Sequence, residues 1–135
     1  MKFYKNAKVI FPDSIRDLVV ATDNGKIIDV TEHFEETPES TVIDCKGLYL
    51  APGFVDIHVH GGGGYDFMEG TEEAFRGAVA AHMKHGTTSI FPTLSSSTVP
   101  MIEAAAEVCT KLMNEPGSPI LGLHLEGHYL NLAMA

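Results

Sequence analysis

From residue 54 onward, apolar strand-like segments alternate with helical stretches, and that order restricts this part of the chain to a parallel sheet with helices packed on it. Residues 54–60 (F-V-D-I-H-V-H), 87–93 (T-T-S-I-F-P-T) and 119–126 (P-I-L-G-L-H-L-E) read as strands. Their near-continuous apolar character fits strands buried on both faces. A helix is expected over 71–85: Thr71 can cap it, Glu72 and Glu73 suit its positive end, and Gly86 suits its stop. Phe75, Ala78, Val79, His82 and Met83 form its apolar stripe. A second helix is expected over 98–114, with Pro100 in its first turn and a stripe of Ile102, Ala105, Ala106, Cys109 and Leu112. Parallel strands joined by helices imply right-handed crossovers and an α/β fold.

The first fifty residues have a different rhythm. Short β-type runs at 8–11, 17–22, 26–30, 41–44 and 48–50 are separated by turn signals. Asn24-Gly25 between two such runs is a strong hairpin signal. Residues 33–40 are polar, contain Pro38 and read as a loop. This section is expected to form a small β-sheet layer ending at Ala51-Pro52-Gly53, which divides the chain into domains 1–51 and 52–135.

Length then becomes an argument. A closed (β/α)8 barrel takes roughly 250 residues, and this chain has 135. Three strands and two helices are accounted for after Pro52. We therefore expect either a small open sheet or, preferably, the N-terminal part of a longer protein.

The chemistry concentrates at strand ends. Successive strand residues alternate faces, so His58 and His60 point the same way, with Asp56 below them. The strand runs into four glycines, Gly61 to Gly64, which end it and leave room for a ligand. Glu126 closes the third strand as the histidines close the first. Sites in parallel α/β folds lie at the carboxyl ends of strands, so these three residues should converge. Two imidazoles and a carboxylate suit zinc or a related divalent ion. An ion with an open position acidifies water and polarises a carbonyl, which points to hydrolysis of an amide or similar bond.

Each feature also has a plainer explanation. The two histidines could be a hydrogen-bonded core pair, and Glu126 a paired buried carboxylate. Asp56 reads as support that orients a histidine. His124 shares a face with Glu126 one layer deeper and reads as a satisfied core histidine. His82 and His85 read as packing and helix-end residues. The glycine run is no phosphate loop, because no Gly-Lys-Ser/Thr follows; it reads as a flexible approach to the site. Residues 93–98 (T-L-S-S-S-T) offer hydroxyls at the site or form a solvated loop and helix cap.

Composition excludes other classes. The net charge of −9 argues against a nucleic-acid partner. No apolar run approaches the ~18 residues of a membrane span, so no membrane partner is expected. The opening residues M-K-F-Y-K lack a secretory pattern. Cys45 and Cys109 stand far apart with no CxxC, as expected of free thiols in a reducing cytoplasm.

Three stretches carry a resemblance: P-G-F-V-D-I-H-V-H-G-G-G-G-Y-D-F-M, H-G-T-T-S-I-F-P-T-L and I-L-G-L-H-L-E-G-H-Y-L-N. Together they resemble the N-terminal third of the N-acetylglucosamine-6-phosphate deacetylase family, a branch of the metal-dependent amidohydrolases. The P-G-F-x-D-x-H-x-H piece indicates only the superfamily. The four glycines followed by Tyr-Asp, together with L-H-L-E-G, narrow it.

The resemblance implies a partial (β/α)8 TIM barrel, here its first three strands, preceded by a small β-sandwich domain. It implies removal of acetate from N-acetylglucosamine 6-phosphate, a phosphorylated amino-sugar substrate, and a homodimer for the full-length enzyme. It makes Glu126 a metal-binding glutamate, and His58 and His60 the pair that holds a second ion in some members. One or two divalent ions, zinc first, are thus implied. The general acid/base is expected beyond residue 135, so the 135-residue chain alone should be inactive or nearly so. Where the family usually has proline after Glu-Gly, this sequence has His128. That residue either alters the loop beside Glu126 or brings another imidazole near the metal. Asp56, Gly61, Gly62 and His128 are the supporting or substrate-loop candidates. A different amidohydrolase, acting on a cyclic amide or an N-acyl amino acid, and a non-catalytic metal-binding fragment are the alternative readings.

Overall fold

The computed structural model describes residues 1–131 and 133. It is a mixed α/β structure that divides into two compact units, Met1–Pro52 and Gly53–Ala135.

The described strands of the first unit form one five-stranded sheet. β1 (Lys2–Ile10) lies at its centre. β2 (Ile15–Asp23) pairs with it antiparallel, and β3 (Lys26–Thr31) pairs with β2. β4 (Thr41–Asp44) and β5 (Tyr49–Leu50) both run parallel to β1. The β2–β3 turn is Asn24-Gly25, with φ of +47° and +77°, as a tight two-residue hairpin requires.

β1 begins six residues before the strand expected from the sequence. The polar pair Lys5-Asn6 hides it, because a bulge falls there: Tyr4 faces Val20, but Ala7 faces Leu18. One extra residue on β1 switches its pleat, and Asn6 takes a positive φ of 55° to allow it. Phe3 therefore packs with Val19 and Ala21, while Ala7 and Val9 pack with Val20 on the other face.

The second unit contains a parallel sheet in the order β10-β9-β6, built from β6 (Phe54–Val59), β9 (Thr87–Leu94) and β10 (His124–Leu125). Sequence neighbours are thus spatial neighbours. Between them lie α1 (Glu72–Met83) and α2 (Val99–Met113). The Thr71 hydroxyl accepts the Ala74 N–H and caps α1, while Gly86, at φ +94°, turns the chain into β9. Phe75, Ala78 and Val79 of α1 and Ala105, Cys109 and Leu112 of α2 form a core with Ile90, Leu94 and Ile120 from the sheet segments. No helix among the described residues is long and apolar enough to cross a membrane.

Two details depart from the sequence reading. The third strand is two residues long rather than eight, although its approach still follows β9: Leu121 N–H donates to Ile90 C=O at 3.1 Å and Glu126 N–H to Leu94 C=O at 2.8 Å. The ladder breaks around Gly122, which lies so close to the Phe91 ring that a Cβ there would come within 2.9 Å of it. The glycine run is also no loose approach. Gly61–Gly62 (β7) pairs with Tyr65–Asp66 (β8) around Gly63-Gly64, both at positive φ. A 3₁₀ turn, Phe67–Glu69, follows behind an Asp66 capping box. The hairpin packs on α1, and the His82 ring nitrogen Nε2 lies 2.9 Å from the Gly61 carbonyl oxygen.

Candidate metal centre

β6 and β10 flank β9, so residues on them lie roughly 10 Å apart at the usual strand spacing. A histidine and a glutamate can meet across that gap only if the central strand offers small side chains beneath them. It offers Thr93, and just past its end the chain offers Ser95.

Above these, His58, His60 and Glu126 bring one donor atom each into a group spanning less than 4.8 Å. His60 Nε2 is 3.0 Å from Glu126 Oε2, and His58 Nε2 is 3.6 Å from the same oxygen. The two Nε2 atoms are 3.3 Å apart. At metal–ligand bonds of about 2.0–2.2 Å and tetrahedral angles, neighbouring ligand atoms lie roughly 3.3 Å apart. The donor set therefore fits a small divalent cation in both chemistry and spacing. Electrostatics allows the same occupant: with both imidazoles neutral and protonated on Nδ1, two lone pairs and a carboxylate aimed at one point attract a positive charge between them. All three side chains are about half-exposed, so solvent and a substrate can reach the point where they meet.

The neighbours are polar and ordered. Ser95 Oγ lies 3.2 Å from His60 Nδ1. Thr93, fully buried, accepts the Val59 N–H at 2.9 Å and lies 3.2 Å from His124 Nδ1. Its hydroxyl also reaches the Phe91 carbonyl at 3.4 Å. The His124 ring also lies against that of His58, 4.7 Å between centroids. His124 is thus a satisfied histidine outside the donor group.

The supporting candidates separate. Asp56 does not reach an imidazole; its Oδ1 accepts the backbone N–H of His58 at 3.2 Å. The β6–β9 register shifts between Asp56 and Val59, and this carboxylate serves an amide at that irregularity. Gly61 and Gly62 have a packing reason to be glycine: a Cβ on Gly62 would come within 2.7 Å of His82 Nε2. His128 is exposed and lines a shallow cleft with Val99, Ile102 and Tyr129, apart from the donor group. The sequence offers residues 93–98 as hydroxyls at the site without distinguishing Ser95 from its neighbours. Its strand parity with Thr93, on the face shared with His124 and Glu126, was the available signal.

Known proteins resemble this chain in sequence and fold. The sequence model of the amidohydrolase family matches residues 49–134. The N-acetylglucosamine-6-phosphate deacetylase of Homo sapiens is 36% identical over 113 residues, covering 79% of this chain and 28% of that protein. The crystal structure of N-acetylglucosamine-6-phosphate deacetylase from Pasteurella multocida superposes with a TM-score of 0.84 at 26% identity, over 98% of this chain and 35% of that one. A D-hydantoinase crystal structure superposes with a TM-score of 0.60 at 25% identity, over 98% of this chain and 28% of that one. The chain thus spans between 28% and 35% of the length of these relatives. With the family match running through both histidines and the glutamate, the chain belongs to the amidohydrolase family.

Proposed function

We propose that this chain is part of an N-acetylglucosamine-6-phosphate deacetylase, which hydrolyses the acetamide of that sugar phosphate to glucosamine 6-phosphate and acetate. The observation that supports it best is the convergence of His58, His60 and Glu126 at mutual distances of 3.0–3.6 Å, in a chain whose relatives are named for that reaction. In this reading the second unit is the first third of a (β/α)8 barrel. The first unit is one layer of a small β-sandwich.

His58, His60 and Glu126 would hold one or two divalent ions, zinc first, which supply acidified water and a polarised carbonyl. Ser95 and Asp56 hold the ligand-bearing strand in position. His128 lines the nearby cleft, and the general acid/base lies outside residues 1–135. The enzyme works in the cytoplasm as a homodimer, with no nucleic-acid or membrane partner.

The test is acetate release from N-acetylglucosamine 6-phosphate by the full-length gene product, after chelation and again after zinc is restored. Activity that returns with zinc supports the proposal. A well-folded, zinc-loaded protein that releases no acetate overturns it. A cyclic amide is the second substrate class to assay, because the D-hydantoinase shares the fold. Turnover of neither substrate would leave a non-catalytic metal-binding role.

A further inference from the structure

The hydroxyls of the serine run after β9 do not cap α2. Thr98, the N-cap residue, makes no side-chain capping bond. Ser97 Oγ instead contacts Met101 Sδ, and Ser96 Oγ points to the Glu126 carbonyl at 3.4 Å. Ser95 alone in the run touches an imidazole, with its Oγ 3.2 Å from His60 Nδ1.

An imidazole that binds a cation through one nitrogen must carry its proton on the other. His60 Nε2 is the atom that faces Glu126 and His58. Its proton therefore belongs on Nδ1, and Ser95 Oγ is the acceptor within reach. We propose that Ser95 is a positioning residue: by accepting the His60 Nδ1–H it fixes the ring's tautomer and rotation and presents the Nε2 lone pair to a divalent cation.

This inference rests on the metal reading above, and it adds a residue whose oxygen never touches the ion. Partners of this kind typically change metal affinity 10–100-fold when removed. Ser95→Ala removes the acceptor and leaves the fold's core untouched, because the side chain is only half-buried. Ser95→Thr keeps a hydroxyl at the same carbon. Ser97→Ala removes a hydroxyl that faces away from the site.

The experiment is a cobalt titration of the apo full-length protein, read by visible absorption, with ¹⁵N-histidine spectra of the zinc-loaded form. Wild type, Ser95→Thr and Ser97→Ala should bind cobalt with similar affinity and show a His60 Nδ1 proton protected from exchange. Ser95→Ala should bind 10–100-fold more weakly, with that proton exchanging freely. Unchanged affinity in Ser95→Ala, or a zinc-loaded wild type whose His60 proton is not on Nδ1, overturns the role of Ser95 while leaving the metal site intact. A wild type that binds no cobalt overturns the metal reading itself, and this inference with it.

Discussion

Thr93 offers the sharpest test of how the ligand-bearing strands are held. Its side chain is fully buried, yet its hydroxyl makes three contacts: with the Val59 N–H, the His124 ring and the Phe91 carbonyl. Thr93→Val keeps the shape and removes the oxygen. The part-buried Val59 amide then loses its partner, at a cost of about 1–3 kcal/mol, and the lost contact with the His124 ring costs about 1 kcal/mol more. The added apolar group returns roughly 0.8 kcal/mol, leaving a net loss of about 2 kcal/mol. Thr93→Ser keeps the oxygen and loses one methyl group, at a cost of about 1 kcal/mol. At a urea m-value of about 2 kcal/mol/M, the midpoint should fall by about 1 M for the valine variant and about 0.5 M for the serine variant. Hydrogen exchange at the Val59 amide should accelerate in the valine variant alone. Simple apolar burial predicts the opposite ranking, because valine is the more apolar residue. A Thr93→Val protein as stable as wild type, or more stable than Thr93→Ser, would refute the hydrogen-bond argument.

Other expectations concern buried and surface groups in both units. Phe75, fully buried against Phe67 with ring centroids 4.9 Å apart, should cost about 3–5 kcal/mol when replaced by alanine, measured by urea unfolding. Burial pushes the Cys109 thiol up to about 11, so it should resist a thiolate-seeking reagent at pH 8 in the native protein and react on unfolding. The half-buried Cys45 should be labelled first. Arg76 pairs with Glu115 through two hydrogen bonds and also with Glu72, which binds Lys111. Hydrogen bonding from Arg76 holds the Glu115 carboxyl below its ordinary value of 4.5. A lowered folded-state value adds stability that is present above about pH 4.5 and lost as pH falls through the folded value. Glu115→Gln should therefore be less stable than wild type at pH 7 and converge with it as pH falls through the folded value, or in high salt, as followed by thermal unfolding.

Much of the architecture was legible before any coordinates. Asn24-Gly25 announced the β2–β3 hairpin because only residues that tolerate positive φ make that turn. Thr71 and Gly86 bracketed α1 through backbone groups a few residues away. Apolar runs joined by helices implied parallel pairing, and the spacing of His58 and His60 placed two imidazoles together. All of these are local rules, acting within one strand or one turn of helix. Where they failed, a partner distant in sequence had intervened. The bulge at Asn6 is set by pairing with β2, and at Gly122, where the ladder breaks, the Phe91 ring leaves no room for a Cβ. Gly62 of β7 accommodates the close approach of α1, and Gly61 that of the Tyr65 carbonyl on β8.

The site divides along the same line. Sequence alone determined which residue types were available and that two of them shared a face, because the pleat repeats every two residues. Only the tertiary structure decided that Glu126 comes within 3.0 Å of His60 across an intervening strand. It also decided that Ser95 meets His60 Nδ1 and that Asp56 serves a backbone amide instead of a ring. Those outcomes depend on strand register and on the size of the side chains between. Register is settled by packing among residues remote along the chain, which no local pattern encodes.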